Sequence, residues 1–140
     1  MNIDYDLFQI DIDKTITPLM DEYGFIEKKG ANTFEKLYQN GIWMIEISMT
    51  KLFPYVSVSY TFFDSETNQA CKNEIIEKIL GIKKEDLLSH YNDFKSRIGF
   101  ESYYKEMMYV CESLEKFYKP ILTGEFTCED YKKFETLEEK

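Results

Sequence analysis

The clearest pattern in the chain is an alternation of apolar and polar positions that extends from Thr33 to Phe63, with Asn40-Gly41 in its first half. Asn-Gly between two alternating runs is the strongest short-range signal of a β-hairpin. A type I′ turn needs φ > 0 at both central residues, which asparagine tolerates and glycine adopts without steric cost. This turn predicts the cross-strand pairs Gln39–Ile42, Tyr38–Trp43, Glu35–Glu46 and Phe34–Ile47.

Four strands are predicted in all, over residues 25–28, 33–38, 42–50 and 55–63. The tight connection at residues 51–54 sets four apolar residues of the third strand opposite four of the fourth. These pairs are Trp43–Phe62, Ile45–Tyr60, Ile47–Val58 and Met49–Val56. Both strands then bury the same face, and a slip of one residue would expose all of these side chains, so burial fixes which face is the core.

Apolar residues at spacings of three and four predict helices on both sides of the sheet. The first is either one kinked helix over residues 5–23 or a shorter helix followed by a second start at Thr17. Pro18 leaves both versions open, because proline suits a first turn and kinks a helix interior. Gly24 ends the helix in either version.

After the sheet the pattern is helical throughout. An apolar stripe from Cys71 to Leu80 ends at Gly81, and a second helix starts near Lys84. That second helix is expected to bury Leu87, Leu88, Tyr91 and Phe94, while His90 lies off its stripe. A long aromatic stripe over 100–121 predicts a helix laid across the sheet and closed by Pro120. Thr127 to Asp130 resembles a capping box that opens the last helix. The fold predicted is α+β: an N-terminal helix, a four-stranded antiparallel meander, and three to four helices packed on one sheet face.

The composition fits one ordinary domain over residues 1–140, with 44% hydrophobic and 16% aromatic residues. A net charge of -9 argues against a nucleic-acid or anionic-membrane partner, because phosphates are bound by clustered Lys and Arg. The same charge fits a basic protein partner, and it equally fits plain solubility. No apolar run approaches the roughly 18 residues of a membrane helix. The first seven residues contain no basic side chain, so no secretory signal is expected.

Chemistry-bearing motifs are sparse. Three cysteines without a C-x-x-C pair indicate reduced thiols, at least two of them buried, in a cytoplasmic protein. The single histidine, His90, is expected to be solvated or structural, and Cys111 lies in mid-stripe, which is the wrong setting for a nucleophile. The spacings of Cys71, His90, Cys111 and Cys128 do not suggest zinc. Catalytic, cofactor-binding and metal-ligating residues are therefore not assigned, and no cofactor is expected.

One surface remains as a candidate site. The predicted register places Glu35 against Glu46 on the face opposite the core, where two like charges disfavour each other. Small hydroxyl side chains flank them, so the candidate site consists of Glu35, Glu46, Ser48, Ser57, Ser59 and Thr61. This face is either a solvated sheet surface or a docking surface for a cationic group of a partner.

The order of motifs in the first half resembles a bacterial family of domains of unknown function. The resemblance rests on residues 16–25 (ITPLMDEYGF), on Lys28-Lys29-Gly30 and on Asn32-Thr33-Phe34. Members of that family begin with a helix that carries Pro-Leu, followed by Gly-Phe, a Lys-Gly turn and an aromatic-led strand. The resemblance covers residues 10–63 well and the helices only loosely. It brings no catalytic residues. Some related acidic domains act as immunity proteins against bacterial toxins, so the resemblance implies such a role.

The sequence leaves two alternative functions open. The first is a non-catalytic protein-binding module, most concretely an immunity protein that neutralises a basic toxin through its acidic surface. The second is a hydrolase-type or metal-binding enzyme that uses the Glu35/Glu46 pair, since two carboxylates with separated pKa values can act as acid and base. The sequence also leaves open a homodimer through the fourth strand or the long aromatic helix.

Overall fold

A helix, a four-stranded sheet and a series of further helices follow one another along the chain in a computed structural model that describes residues 3–28, 35–52 and 55–138. The elements are α1 (Ile3–Glu22), β1 (Ile26–Lys28), β2 (Glu35–Gln39), β3 (Trp43–Leu52), β4 (Tyr55–Asp64), α2 (Asn73–Leu80), α3 (Lys84–Arg97), α4 (Tyr103–Phe117), α5 (Lys119–Thr123) and α6 (Cys128–Glu138). The strands pair antiparallel in the order β1-β2-β3-β4. The predicted α+β class and the meander are confirmed.

The hairpin between β2 and β3 is confirmed, but its predicted turn and register are wrong. Gln39 pairs with Met44, and Ile47 pairs with Lys36 where Phe34 was predicted. Gly41 has φ +91°, whereas Asn68 is the only non-glycine residue with positive φ among those described. The Asn40 Oδ1 atom accepts hydrogen bonds from the N–H groups of Ile42 and Trp43, both at 2.9 Å. Because this side chain holds both amides, Asn40 closes the strand and the turn moves one residue along, to Gly41-Ile42.

The register of β3 against β4 also differs from the prediction by two residues. Ile45 pairs with Phe62 and Ile47 with Tyr60. The cause is the length of β3, which continues to Leu52 and pairs there with Tyr55. The first two residues of the strand predicted over 33–38 and the second half of the connection predicted at 51–54 lie outside the described residues. Because side chains alternate with a period of two, a shift of two residues leaves each side chain on its predicted face.

The helices pack on one face of this sheet, which we call the inner face. The buried residues of the inner face, of α1 and of α4 belong to one continuous core: Tyr38, Trp43, Ile45, Ile47, Val58 and Phe62 from the sheet, Phe8, Ile12, Ile16, Leu19 and Met20 from α1, and Met107, Val110 and Leu114 from α4. α4 packs against α1 and β4. This arrangement confirms a helix laid across the sheet.

The end of α1 and the start of α6 follow the predictions, whereas the helix predicted over 100–121 is divided in two. α1 is one helix with Pro18 inside it, and Gly24, at φ +78°, ends it as predicted. The capping box of α6 is confirmed, because Thr127 N–H donates to Asp130 Oδ2 at 3.0 Å and Asp130 N–H donates to Thr127 Oγ1 at 3.3 Å. The single helix predicted up to residue 121 is wrong. The helix is interrupted at Tyr118, because Pro120 has no N–H with which to continue the helical hydrogen bonds. Pro120 lies instead in the first turn of α5.

The predicted stripe of α3 is partly wrong. Leu88 and Tyr91 are 60% and 41% exposed, whereas His90 is only 4% exposed. His90 stacks on Tyr109, with 4.9 Å between ring centroids, and contacts Phe117 edge-on. An aromatic surface on α4 therefore selects which side of α3 is buried, and the imidazole matches that surface better than the aliphatic Leu88.

Candidate functional site: the outer face of the sheet

The sheet face turned away from the core, which we call the outer face, carries the predicted site. Ser48 pairs with Ser59, and Glu46 pairs with Thr61, all on this face. The backbone of Ser57 pairs with that of Thr50 in the same alternation. The six predicted residues therefore occupy outer-face register positions on three adjacent strands. Ser59 is exposed, and Glu35, Glu46, Ser48 and Thr61 are half-buried.

The two glutamates are neighbours, but not in the predicted way. Glu35 lies opposite Ser48, and Glu46 lies opposite Leu37, so the predicted Glu35–Glu46 pair is wrong. The two side chains are diagonal neighbours, a relation with Cα atoms about 7–8 Å apart in an antiparallel pair. The hydroxyls of Ser48 and Ser59 approach to 3.1 Å in the row beside Glu46. On the outer face, a row of short hydroxyl side chains therefore extends from β4 towards the carboxylates of Glu35 and Glu46.

The electrostatics of Glu46 reflect this placement. Burial raises the pKa of the Glu46 carboxyl above its ordinary value, and the negative charge of Glu35 raises it further. Within the described part of the chain, Glu46 forms no ion pair. Ionised Glu46 therefore carries a cost in the free protein that a cation placed nearby would reduce.

The opposite end of the outer face is apolar. Met44 is buried, Leu37 and Phe63 are half-buried, and Ile26 on β1 is 72% exposed. These residues share the face because Ile26 pairs with Gln39, Gln39 with Met44, and Met44 with Phe63. The outer face is therefore divided into an apolar end and an acidic, hydroxyl-rich end.

A cation on the inner face was not predicted from the sequence. Lys36 is only 7% exposed. Its Nζ lies 2.8 Å from Asp13 Oδ1, 3.0 Å from Glu27 Oε1 and 3.1 Å from Gln9 Oε1. Lys36 thereby ties β2 to α1 and to the short edge strand β1. The strand alternation was a usable signal, since it places Lys36 on the same face as Tyr38.

A second polar cluster surrounds His90. Its Nε2 lies 3.3 Å from Glu112 Oε1, and its Nδ1 lies 3.5 Å from Ser113 Oγ. Arg97 donates to the same Glu112 oxygen at 2.9 Å. The residue types match a serine–histidine–carboxylate triad, but Ser113 is 2% exposed and follows Glu112 directly on one helix. A substrate cannot reach that hydroxyl, so the cluster joins α3 to α4 structurally.

The cysteines are also structural in their setting. Cys71 and Cys128 are buried, as predicted for at least two of the thiols, whereas Cys111 is half-buried. Burial raises the pKa of Cys71 to about 12 and that of Cys128 to about 11, so both are protonated at neutral pH. The protonated thiol is a poor nucleophile. Neither Cys71 nor Cys128 therefore lies in a setting that favours the reactive thiolate.

A cavity of about 230 Å³ lies between the hairpin turn and α6, and a second one of about 330 Å³ lies between residues 64–71 and α6. Both are lined by Asp64, Cys128 and Lys132. Asp64 Oδ2 lies 2.6 Å from Lys132 Nζ, and burial raises the Asp64 pKa less than this contact and the surrounding hydrogen bonds lower it. The Asp64 carboxylate, which both cavities share, therefore already has its counter-ion.

The described residues contain neither a metal-binding cluster nor a membrane-spanning helix. Across 3–28, 35–52 and 55–138, three or more His, Cys, Asp or Glu side chains nowhere come together in a group that could hold a metal ion. None of the described helices combines the length and apolar character needed to cross a membrane. Comparison of the chain with protein-family models, with curated proteins and with solved structures gave no match.

Proposed function

We propose that this protein is a non-catalytic binding module that docks a basic protein through Glu35 and Glu46. The observation that carries the proposal is the state of Glu46, whose pKa is raised by burial and by Glu35 and which has no cation among the described residues. A lysine or arginine of a partner placed between the two carboxylates would favour their charged forms. The whole chain, at -9, attracts such a partner before contact.

The shape of the surface supports the same function. Short hydroxyl side chains at Ser48, Ser59 and Thr61 leave the carboxylates accessible to a long basic side chain. The apolar end of the outer face, with Ile26 exposed and Phe63 half-buried, adds surface that a protein partner can cover. In its most concrete form, the module is a cytoplasmic immunity protein that neutralises a bacterial toxin. The family resemblance of residues 10–63 supports that form.

The experiment measures binding of the purified product of the neighbouring gene by isothermal titration calorimetry. The test variant is Glu35→Gln/Glu46→Gln, and the control variant is Glu22→Gln/Glu125→Gln, which removes the same charge at exposed positions away from the sheet. We expect the affinity of the test variant to fall at least about tenfold, the equivalent of 1.4 kcal/mol, and that of the control to change little. Equal losses in the two variants would show that net charge alone drives association.

A salt series separates the two contributions further. Long-range attraction is screened over about 8 Å at physiological ionic strength. The difference between the wild-type protein and the control variant should therefore disappear at high salt. A direct contact with Glu46 is screened less, so part of the test variant's loss should persist.

A further inference from the structure

β4 is the last strand in the sheet order, and its backbone groups on the side away from β3 follow a defined pattern. Cys71 N–H donates to Phe62 C=O at 2.8 Å, so the backbone polar groups of Phe62 point away from β3. In an antiparallel strand these groups alternate in direction from residue to residue. Tyr60, Val58 and Val56 therefore also direct their N–H and C=O groups outward. Within the described part of the chain no backbone group pairs with these three residues on that side.

The occupied part of this edge shows where pairing stops. Ala70 bridges to Phe63, and Gln69 C=O accepts from Asp64 N–H at 3.0 Å, so the chain covers the last residues of β4 itself. It then turns into α2. The covering segment leaves residues 55–60 as the open length of the edge, which is long enough for an extended segment to form one further strand.

The sequence of this strand lacks the features that usually protect an edge. Natural edge strands carry charged residues, proline or bulges that prevent pairing with other chains. From Tyr55 to Phe63 the strand contains no charged residue and no proline, and β3 pairs with it in unbroken register. An unprotected edge of this kind is the structure to which proteins bind extended peptides by adding a strand.

We propose that the basic partner binds by adding an extended strand antiparallel to β4, with its lysine or arginine side chains on the outer face. This inference rests on the proposed function and specifies how the partner binds. In an antiparallel pair, a residue opposite Ser59 points to the same face as Ser59. Its side chain lies at the start of the row Ser59–Ser48–Glu35, and Glu46 is diagonal to Ser59 on β3.

The acidic side chains of the outer face fit a basic strand added at β4. Two strand spacings separate the added strand from β3, a distance of about 10 Å. A lysine extended over Ser59 and a glutamate extended from β3 approach each other across that distance, because the intervening hydroxyls are short. The partner's alternate side chains face the inner side, next to Val58 and Tyr60, where apolar residues are suited. The partner segment therefore has alternating basic and apolar residues.

The test uses a synthetic heptapeptide of alternating valine and lysine with blocked termini, titrated into the whole protein. In the proposed geometry the valine N–H groups face β4 and the lysine N–H groups face solvent. The heptapeptide begins and ends with valine; one form is N-methylated at three of its valines and a matched form at its three lysines, so that charge and composition are equal. Binding is followed by calorimetry and by hydrogen exchange of the Val58 and Tyr60 amides.

We expect the lysine-methylated peptide to bind and to slow exchange of the Val58 and Tyr60 amides. The valine-methylated peptide should bind at least about tenfold more weakly, and Glu35→Gln/Glu46→Gln should weaken both. A third peptide, with glutamate in place of lysine, should not bind. In the protein, Val58→Pro removes one outward N–H at an edge position that proline tolerates and should weaken binding of the lysine-methylated peptide.

Three different results would contradict strand addition. Equal binding of the two methylated peptides, still lost in Glu35→Gln/Glu46→Gln, would exclude strand addition and leave the proposed function standing. Absence of binding by every peptide would overturn strand addition, while the titration with the whole partner decides the function separately. A dimer in light scattering that Val58→Pro dissociates would show that a second copy of the chain occupies the edge, which also overturns the proposal.

Discussion

Trp43 joins the hairpin to the helices, and its replacement tests the fold that presents the outer face. The ring is completely buried, stacks on Phe126 with 5.7 Å between centroids, and meets Phe62 edge-on. Its Nε1–H donates to the Phe126 carbonyl at 2.8 Å. Trp43→Ala removes the ring and the hydrogen bond together, so we expect a loss of about 3–5 kcal/mol in the free energy of unfolding.

Separating the two contributions needs a replacement of similar shape. The chain contains a single tryptophan, so biosynthetic incorporation of an analogue with sulfur in place of the indole N–H changes this position alone. The analogue keeps the packing but leaves the Phe126 carbonyl without a donor in a buried site. The expected loss is about 1–3 kcal/mol, the cost of one buried unsatisfied group.

The assay is urea unfolding followed by far-ultraviolet circular dichroism, because the substitutions alter the fluorescence itself. The midpoint should fall while the slope m stays constant, as expected for a change of stability with an unchanged unfolding transition. An analogue as stable as the natural protein would refute the buried hydrogen bond. A Trp43→Ala loss below about 1 kcal/mol would refute the position of this ring in the core.

Two further predictions concern charged groups. Lys36→Met should lower stability by about 1–2 kcal/mol, because two half-exposed carboxylates lose their shared cation but can rehydrate. Burial lowers the pKa of Lys36 and the two carboxylates raise it by more, so its pKa lies above the ordinary value. The difference in stability between the wild-type protein and Lys36→Met should therefore be constant at neutral pH and disappear above pH 10.5, as measured by chemical unfolding. Burial raises the pKa of Glu106 to about 7, so the folded state binds the extra proton and stability falls as pH rises from about 4.5 to about 7. Glu106→Gln should therefore stabilise the protein at pH 8 by about 1 kcal/mol, a value discounted for the partial exposure of the group, and have little effect at pH 4, whereas the exposed Glu115→Gln on the same helix should show no such difference in thermal melts.

Which side chains share a face of the sheet could be predicted from the sequence, because this depends only on whether a residue lies at an odd or an even position along its strand. Both registers were displaced by two residues, and such a displacement preserves the alternation that separates Ile45 from Glu46. The register itself depends on turn chemistry. The Asn-Gly signal does not state whether Asn40 occupies the turn or closes it with its side chain, and the second outcome moved every pair in the hairpin. Local signals that are complete within a few residues, such as the capping box at Thr127, were predicted correctly.

The parts that sequence could not supply depend on contacts between distant segments. Lys36 lies on a core face, and it is tolerated there only because Asp13 and Glu27 come from two other elements. His90 is buried because the aromatic face of α4 lies against it, and the stripe of α3 alone favours Leu88. The open edge of β4 also depends on tertiary structure, since it is defined by where residues 69–71 return along the strand.

The corrected register changes what the outer face can do with a cation. Directly opposed glutamates repel each other more than diagonal ones, whose Cα atoms are about 7–8 Å apart. In the proposed complex one ammonium or guanidinium group of the partner interacts with both carboxylates of the diagonal pair. Because burial and Glu35 raise the pKa of Glu46, its carboxyl stays protonated to a higher pH than that of an ordinary glutamate, and a cation binds the ionised form. Affinity for a basic partner should therefore rise with pH through the titration of Glu46 and level off once the carboxyl is ionised. In Glu46→Gln the rise should be reduced, which calorimetry over a pH series measures directly. The same pH profile in the wild-type protein and in Glu46→Gln would mean that the partner binds elsewhere, and the diagonal pair would then be no more than a solvated part of the sheet.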